Sequence, residues 1–309
     1  MSGTHLVVWQ LSDGKRGHER QVEGLLAGLA RQRALDVHRI AVARTFVGHA
    51  ANALARRFPA ADGLPDPALV IAAGSACQAA LLAARRARGG RSVYLMRPAL
   101  PWRWFDAVVV PRHDDPPAAP NVIQSEGALN PVRPAAQRAA ELGLVLLGGP
   151  STHHAWDSAA IVQQIERRLA RAPRRDWVVT DSRRSPPELA AALRGLERDG
   201  VRYVPAAECA PGWLPGELGR AAEVWVSADS VAMIYEALSG GGLVGVLDVP
   251  SKRRDRITRI AQALHARGWI MRGEEDAPAS PPSALDEGGR VAALLLQRWP
   301  ELGGAGGAP

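Results

Sequence analysis

The chain of 309 residues contains little cysteine and little lysine. Cys77 and Cys209 are its only cysteines, which is too few for a disulfide framework, and neither lies at the spacing of a metal-binding motif. Lys15 and Lys252 are its only lysines, so arginine supplies almost all of the positive charge. We therefore expect two structural thiols rather than a disulfide-rich or metal-binding domain.

The chain also lacks a long apolar segment. No run of about 18 apolar residues is present, so no helix is expected to span a membrane. Residues 1–10 do not show the basic and then apolar pattern of a secretory signal, and they lead directly into an apolar strand. We therefore expect a cytoplasmic protein, and peripheral attachment to the inner face of a membrane stays open.

Dense basic runs with interleaved aromatic residues are absent as well, so no nucleic-acid partner is expected. The formal net charge is nevertheless +7, which favours acidic partners such as nucleotides, phosphates or an anionic membrane surface. No G-x-G-x-x-G sequence follows the first strand, which disfavours a nicotinamide-dependent dehydrogenase.

Short apolar strands alternate with helical segments of roughly 10–15 residues, which is the pattern of a parallel sheet covered on both faces. The pattern stops at the polar, alanine-rich stretch Pro134–Glu141, which we interpret as a linker, and then restarts. We predict an α/β protein with two Rossmann-like domains facing a cleft, over residues 1–135 and 136–272. Residues 273–309 are predicted to form a linker, a terminal helix and a disordered tail. The predicted strands are His5–Leu11, Val37–Val42, Ala68–Ala73, Ser92–Met96, Ala107–Val110, Asn121–Gln124, Leu142–Leu147, Asp176–Thr180, Val201–Val204, Glu223–Ser227 and Leu243–Leu247.

The stretch Trp225–Pro250 predicts a strand, a tight turn, a helix, a glycine break and a second strand, which together form a βαβ unit. Asp229 or Ser230 is expected to cap the helix, because a short side-chain oxygen can accept from its free N–H groups. Those N–H groups and the helix dipole suit a phosphate. Glu236, about two turns further on, is placed to accept hydrogen bonds from ribose hydroxyls. The alternative is a purely structural unit with a solvated Glu236.

Three loops of the second domain are expected to meet at one edge of its sheet, because each follows a parallel strand. They are Gly149–Thr152, Thr180–Ser185 and Ser227–Ser230. Glycines let a backbone approach a phosphate closely, and hydroxyls donate to it. Arg183 and Arg184 can form bidentate contacts with a diphosphate, or else they lie in a solvated turn.

Asp13-Gly14-Lys15-Arg16-Gly17-His18 forms a glycine-punctuated loop between the first strand and its helix. The imidazole of His18 at this junction can take a proton from an attacking hydroxyl near neutral pH. Asp13 can do the same or can orient His18. The alternative is a helix-capping loop with an exposed histidine.

Two further clusters are weaker candidates. Pro101-Trp102-Arg103-Trp104-Phe105 joins aromatic rings to an arginine, which suits a lipid interface, an acceptor pocket or ordinary packing. His153 and His154 adjoin the second domain's glycine loop, but no carboxylate or cysteine lies at a metal-ligand spacing from them. We therefore predict no metal site.

Taken together, several of these motifs resemble the mitochondrial-fission "elongated mitochondria" family. Its bacterial members are described as candidate nucleotide-sugar glycosyltransferases of the GT-B type, and its plant members as fission adaptors. The resemblance covers about residues 5–270. The motifs that carry it are Asp13 to His18 with Gln21, Glu126-Gly127-Ala128-Leu129, Gly148-Gly149-Pro150, Ser182-Arg183-Arg184-Ser185-Pro186, and Ser227-Ala228-Asp229-Ser230-Val231 through Glu236.

More distantly, the layout is similar to GT-B enzymes that move sugars onto lipid carriers. In those enzymes a glycine-rich loop ending in histidine lies beside the acceptor, and His18 matches that histidine, with Lys15 and Gly17 in the same loop. A Gly-Gly loop and a helix with a late glutamate hold the nucleotide. With the loop residues above, the candidate nucleotide and diphosphate ligands are Gly148, Gly149, Ser151, Arg183, Arg184, Ser185, Ser230 and Glu236.

These observations predict a glycosyltransferase that uses a nucleoside-diphosphate sugar, with His18 and Asp13 as catalytic residues. The acceptor is undefined, and a lipid-linked or cell-envelope acceptor is one option. Arginines and backbone amides can stabilise the leaving diphosphate, so we expect neither a metal nor another cofactor. Two alternatives remain open: a nucleotide-sugar epimerase on the same fold, and a non-catalytic adaptor that binds protein partners.

Overall fold

The structure is a computed structural model that describes residues 5–42, 45–253, 255–273 and 283–303. The chain forms two compact units. The first contains the chain up to Pro131 and again from Asp286 onward, and the second contains Val132–Leu285. The linker predicted over residues 274–282 and the tail beyond Gly303 lie outside the described residues.

The first unit is built on a parallel sheet of six strands in the order β2-β1-β3-β4-β5-β6. The helices α2 and α3 pack on one face of this sheet, and α1 and α9 on the other. The strands are β1 (Leu6–Ser12), β2 (Leu35–Ala41), β3 (Leu69–Ala73), β4 (Arg91–Leu95), β5 (Ala107–Pro111) and β6 (Val122–Ser125), and the helices are α1 (Arg16–Ala30), α2 (Phe46–Leu54), α3 (Gln78–Arg88) and α9 (Glu287–Arg298).

The second unit is also built on a parallel sheet of six strands, in the order β12-β11-β10-β7-β8-β9. The strands are β7 (Ala139–Leu146), β8 (Asp176–Thr180), β9 (Val201–Val204), β10 (Ala221–Ser227), β11 (Leu243–Leu247) and β12 (Met271–Arg272). The helices are α4 (Ser158–Arg171), α5 (Pro187–Arg194), α6 (Trp213–Arg220), α7 (Val231–Gly240) and α8 (Ile260–Ala266).

The strands form a sheet because their side chains are apolar on both faces. All five residues of β3 are buried, for example, and its alternate residues enter two different core clusters. In the second unit Trp225 points to one cluster, and its neighbours Val224 and Val226 point to the other. Each sheet is therefore enclosed by helices on both faces, as an all-parallel sheet requires.

Each sheet has one switch position, which is the point where the chain reverses the direction in which strands are added. In the first unit β1 lies between β2 and β3, and in the second β7 lies between β8 and β10. Ligands of open parallel sheets bind beyond the carboxyl ends of the strands at such a position. The loops that follow β1 and β3, and those that follow β7 and β10, are therefore the places to look for a site.

The compact units differ from the predicted domains at the C-terminus. The terminal helix α9 packs on α1 and belongs to the first unit, whereas the sequence assigned residues 273–309 to neither domain. The helices approach closely because glycines face each other: a Cβ on Gly28 would lie 2.1 Å from the carbonyl oxygen of Gly288. The first boundary also moves, from residue 135 to Pro131.

Two local predictions were wrong, and one strand, β12, and one helix, α6, were missed. The sequence analysis made no prediction for α6, which contains Pro215 and Gly216; Pro215 is tolerated in the first turn, where its missing N–H has no partner to lose. Strand β7 begins at Ala139, inside the predicted linker. The sequence predicts a helix over Asp255–Ala266, but α8 begins only at Ile260, because the Asp255 carboxylate accepts from the backbone N–H groups of Ile257 and Thr258 and forms a turn.

Candidate functional site

The loop after β1 brings Asp13 and His18 together. Both carboxylate oxygens of Asp13 lie 3.1 Å from Nδ1 of His18. The Asp13 side chain is 1% exposed and also accepts from the backbone N–H of Lys15, whereas the His18 side chain is 19% exposed. A buried carboxylate therefore holds a partly exposed imidazole at the start of α1.

The protonation state of the pair follows from its surroundings. Burial opposes ionisation of Asp13, but the Lys15 N–H, the His18 ring and the charges of His18 and Lys15 outweigh it and lower the pKa of Asp13. An ionised carboxylate can only accept hydrogen bonds, so Nδ1 of His18 carries the proton that it donates. Nε2, which then carries the free lone pair, is the basic atom of the neutral His18 ring. Asp13 is thus placed to orient His18, and the catalytic role of the pair stays a prediction.

Gly74, which directly follows β3, makes room for the His18 ring. A Cβ at Gly74 would lie 2.2 Å from Nδ1 of His18, and its φ of 88° favours glycine as well. The two loops at the switch position of the first unit are therefore fitted to each other. Sequence reasoning missed Gly74, although a glycine directly after a wholly apolar strand is a usable signal.

Lys15 and Gly17 lie beside this pair in the sequence, and the Lys15 side chain makes no hydrogen bond to either member of it. Lys15 is the exposed N-cap residue of α1 and contributes its backbone N–H to Asp13. Gly17 is exposed in the first turn, and a Cβ there would meet no atom within 4 Å. Their predicted acceptor-side role stays a prediction.

In the second unit the loops after β7, β8 and β10 meet around the carboxylate of Asp229. This side chain is fully buried and accepts from the Ser227 hydroxyl at 2.7 Å, from the Gly149 N–H at 3.0 Å and from Nη2 of Arg184 at 2.8 Å. The Ser227 hydroxyl in turn accepts from the Gly148 N–H at 2.8 Å. The three loops expected to converge do so, and Asp229 connects them.

The role expected of Asp229 was wrong. We expected Asp229 or Ser230 to cap α7, but Asp229 turns towards the glycine loop, where it has three hydrogen-bond donors. Ser230 is the N-cap residue, and its side chain makes no capping hydrogen bond. The first N–H groups of α7 are therefore not used by either of these side chains, and Ser230 itself is only half-buried.

The glycines of this loop are needed for packing between loops. A Cβ on Gly148 would lie 2.1 Å from an Asp229 carboxylate oxygen, and one on Gly149 would lie 2.1 Å from the Arg184 carbonyl oxygen. The hydroxyls of Ser182 and Ser185 both donate to the Gly148 carbonyl. Close approach of loop to loop thus accounts for Gly148 and Gly149 before any ligand is considered.

Arg183 and Arg184 differ in the contacts that hold their side chains. Arg184 bridges the loops through Asp229 and through the Gly149 carbonyl at 3.1 Å, yet 44% of its side chain is exposed. Arg183 is exposed and pairs with no carboxylate in the described ranges. Arg184 is therefore a fixed cation at the site, and Arg183 a free one beside it.

Ser151 organises the end of the same loop. Its hydroxyl accepts from the N–H groups of His153 and His154, and its carbonyl accepts from Nζ of Lys252 at 2.9 Å. This hydroxyl is engaged within the loop and is only half-buried. Lys252 belongs to the segment after β11, so Ser151 links a fourth strand end to the site.

Nδ1 of His153 has a hydrogen-bond partner, whereas Nδ1 of His154 has none. Nδ1 of His153 lies 2.6 Å from Asp255, and the hydrogen bond to this ring lowers the pKa of the Asp255 carboxyl. His154 is 3% exposed, its Nδ1 has no partner, and burial lowers its pKa. Among the described residues, no three His, Cys, Asp or Glu side chains are grouped so that they could hold a metal ion.

Glu236 lies on α7, six residues after Ser230, and is 7% exposed. The alternative of a solvated Glu236 is therefore wrong. Its predicted contact with a ribose stays a prediction.

The aromatic segment after β4 divides between core and surface. Phe105 is buried and stacks on Tyr94 with 5.2 Å between ring centroids. Trp102 is half-buried beneath the guanidinium of Arg97, whereas Trp104 is 45% exposed. Packing explains Phe105 and most of Trp102, but it does not explain Trp104.

The two parallel sheets, each with one switch position, define an α/β protein of the GT-B type with two Rossmann-like units. The model of the mitochondrial fission ELM1 family matches residues 16–299. The chain belongs to this family, which confirms the resemblance seen in the sequence motifs. No curated protein matches the chain in sequence.

Solved structures support the same fold at low sequence identity. A Listeria monocytogenes protein provisionally described as a UDP-N-acetylglucosamine 2-epimerase superimposes with a TM-score of 0.58 at 12% identity, covering 97% of this chain and 90% of that chain. S. aureus MnaA, solved with UDP, gives 0.52 at 11%, covering 96% and 89%. Phytolacca americana UGT2, solved with UDP-2-fluoro-glucose and pterostilbene, gives 0.50 at 9%, covering 94% and 89%. A protein described as an epimerase and two proteins solved with UDP or a UDP-sugar analogue thus share the architecture. No helix in the described part of the chain is long and apolar enough to cross a membrane.

Proposed function

We propose that the second unit binds a nucleoside-diphosphate sugar and that the protein transfers the sugar to an acceptor hydroxyl. One observation carries the proposal. The exposed guanidinium of Arg184 is fixed by the buried Asp229 at the switch position of the sheet, next to the α7 N-terminus that Ser230 leaves uncapped. A fixed cation beside free backbone N–H groups is what a diphosphate requires.

The leaving diphosphate would be held by groups of two loops. Arg184 has guanidinium N–H groups beyond those used by Asp229 and Gly149, and Arg183 adds a second cation. The N–H groups that begin α7 and the hydroxyl of Ser230 would donate to the same anion. As the bond to the sugar breaks, negative charge grows on the diphosphate, and these preorganised donors lower the barrier.

Asp229 does not make this site repulsive to an anion. Its charge is buried and offset by Arg184, and two further donors, Ser227 and Gly149, share it. Its function in the proposal is to orient Arg184 and to hold the glycine loop. Glu236 would accept from the ribose hydroxyls.

His18 would be the general base for the acceptor. Asp13 holds Nδ1 of His18, so Nε2 can take the proton of an attacking hydroxyl while the carboxylate stabilises the imidazolium that forms. The hydroxyl oxygen then bonds to the anomeric carbon, and the bond from that carbon to the diphosphate oxygen breaks. Lys15 and Gly17 would border the acceptor.

We propose that no divalent metal or other cofactor is required, because Arg183, Arg184 and backbone N–H groups already supply positive charge for the diphosphate. A nucleotide-sugar epimerase is the second candidate. The solved structures of TM-score 0.52 and above that share the fold include proteins described as such epimerases. An epimerase would change the sugar nucleotide alone and would need no acceptor.

Thermal unfolding with a panel of nucleoside diphosphates and their sugars tests the proposal, in buffer with EDTA and in buffer with Mg²⁺. A ligand at 100 times its dissociation constant adds about 2.7 kcal/mol to the free energy of unfolding. We expect one base to raise the melting temperature equally in both buffers, and Arg184→Ala and Glu236→Gln to lose the increase. Arg174→Ala, an exposed arginine that follows α4, is the matched control. No increase at millimolar ligand would leave the adaptor as the remaining interpretation.

The identified sugar nucleotide then distinguishes transfer from epimerisation. Mass spectrometry and NMR of the nucleotide after incubation would show release of nucleoside diphosphate, with dependence on His18, if the protein is a transferase. An intact nucleotide that carries an inverted sugar carbon would instead establish the epimerase.

A further inference from the structure

The first unit carries an open groove that is not lined by Asp13, His18 or Gly74. It has a volume of about 590 Å³ and is bounded by α2, α3 and the segment Leu100–Trp104. Its floor is apolar, formed by side chains such as Ala53 and Leu82. The groove rests on the α2 and α3 face of the sheet and shares no residue with the Asp13 and His18 loop.

The helix beside this groove presents an apolar face outward. Val47, Ala51 and Leu54 lie at positions i, i+4 and i+7 of α2, so they share one side of the helix. All three are exposed, with Val47 and Leu54 each at 80%. Trp104, 45% exposed, continues the apolar surface on the far edge of the groove.

Another surface helix of the same chain shows what an ordinary solvated face looks like. In α4 the exposed positions include Gln163, Glu166, Arg167 and Arg171. Solvent-facing helix positions are normally polar, and contiguous exposed apolar residues mark an interaction site. The outward face of α2 therefore indicates a partner with an apolar surface.

Cations border the apolar residues. The lining of the groove includes three arginines and no carboxylate. Arg85 is neutralised by Asp106, but neither Arg86 nor Arg103 pairs with a carboxylate within the described ranges. Arg56, two residues after the end of α2, is exposed and is likewise without a carboxylate partner in the described ranges. The partner should therefore be negatively charged at the boundary of its apolar region.

We infer that this surface, formed by Val47, Ala51, Leu54, Trp104, Arg86 and Arg103, docks on a membrane rich in anionic phospholipid. Apolar side chains would enter the boundary between headgroups and acyl chains, as the apolar face of an interfacial helix does. Tryptophan is favoured at that depth, because its ring is apolar and its N–H is polar. Arg86 and Arg103 would contact the phosphates, and each basic residue near such a surface contributes about 1 kcal/mol.

Co-sedimentation of the full chain with lipid vesicles tests this inference independently of any sugar transfer. The vesicles are phosphatidylcholine alone, or phosphatidylcholine with one quarter phosphatidylglycerol, at low and high salt. We expect binding to the anionic vesicles at low salt, and weaker binding to neutral vesicles or at 0.5 M salt, because screening reduces the arginine contribution.

Two double variants separate the contributions. Arg86→Gln with Arg103→Gln should weaken binding about thirtyfold, since two charges are lost. Leu54→Ser with Trp104→Ser should weaken it at least about tenfold through loss of apolar contact. All four positions are at the surface, so the variants should fold, which thermal unfolding verifies. Leu294→Ser on α9 and Arg167→Gln on α4 are matched exposed controls that should bind like the wild type.

Three results would overturn the inference. Equal binding of neutral and anionic vesicles would contradict the role of the arginines. Unchanged binding by both double variants would place the membrane contact elsewhere. No vesicle binding, together with self-association that Leu54→Ser and Trp104→Ser abolish, would show that a second copy of the chain occupies this surface.

Discussion

The fully buried carboxylate of Asp229 accepts a hydrogen bond from Nη2 of Arg184 at 2.8 Å, while 44% of the Arg184 side chain faces solvent. The pair is thus buried on its acidic side and open on its basic side. The carboxylate cannot exchange its protein donors for water, whereas the guanidinium is presented to whatever enters the site. This asymmetry leads to different expectations for the two residues.

We expect Asp229→Ala to destabilise the protein by about 3 kcal/mol, because it leaves the loop N–H of Gly149 and the hydroxyl of Ser227 without their acceptor. Arg184→Ala should cost less, about 2 kcal/mol: it removes the counter-charge of the buried Asp229 carboxylate, but the Gly149 N–H and the Ser227 hydroxyl still donate to that carboxylate. Arg183→Ala should stay within about 0.5 kcal/mol of the wild type. Urea denaturation of the three variants measures these differences, and an Arg184→Ala cost equal to that of Asp229→Ala would contradict the one-sided burial.

The loop glycines should be intolerant of a methyl group. Gly149→Ala would place its Cβ against the Arg184 carbonyl oxygen, so a loss of about 1–3 kcal/mol is expected from overpacking. Gly17→Ala is the matched control, because its Cβ would meet no atom within 4 Å and alanine is the better helix former. Equal melting temperatures for the two variants would show that the loops are not packed as described.

The hydrogen bond from His18 to Asp13 predicts a specific tautomer. In the wild type Nδ1 of His18 should carry the proton when the ring is neutral, and Asp13→Ala should remove that preference. Nitrogen chemical shifts of a ¹⁵N-histidine-labelled sample, with His18→Gln to assign the resonance, report the tautomer directly. A wild-type ring protonated on Nε2 would contradict the assignment of Nε2 as the base.

Acid should destabilise the protein partly through His154. Burial lowers the pKa of His154, with the charges of His153 and Arg184 acting in the same direction and those of Asp229 and Asp255 opposing it. The unfolded chain, with an ordinary pKa of about 6.5, therefore binds this proton first as the pH falls. The stability associated with a neutral His154 is complete above about pH 6.5. It is lost as the pH falls from there to the lower pKa that His154 has in the folded protein.

Melting temperatures of the wild type and His154→Gln between pH 8 and pH 5 measure this effect. The wild type should lose more stability than the variant on acidification below about pH 6.5. His5→Gln, which changes an exposed histidine, should follow the wild type. Parallel curves for all three proteins would show that the pKa of His154 is the same in the folded and unfolded states.

Local patterns predicted the sheets but not the contacts between distant segments. Apolar runs such as Leu69–Ala73 identify buried strands wherever they occur, and most strands are in place to within a residue or two. The helix α6 was missed because Pro215 is acceptable only at a helix start, which periodicity does not locate. The attachment of α9 depends on glycines 260 residues apart, Gly28 and Gly288, and no local pattern records such a contact.

The same limit applies to the candidate site. Parallel topology was enough to predict that the loops carrying Gly149, Arg184 and Ser230 converge. The orientation of Asp229 depends on a balance between capping α7 and accepting from three donors of other loops, and only the folded structure decides it. Gly74 was missed for a related reason, because its function is to leave space for a side chain 56 residues away, that of His18.

We propose that a nucleoside diphosphate binds the second unit where the loops after β7, β8 and β10 meet. Hydrogen–deuterium exchange with and without saturating UDP, ADP, GDP or CDP tests it most directly, because bound phosphates protect the amides that contact them. We expect one of these ligands to slow exchange in peptides spanning residues 147–152, 182–186 and 227–234. Protection confined to other parts of the chain, or none with any ligand, would contradict it.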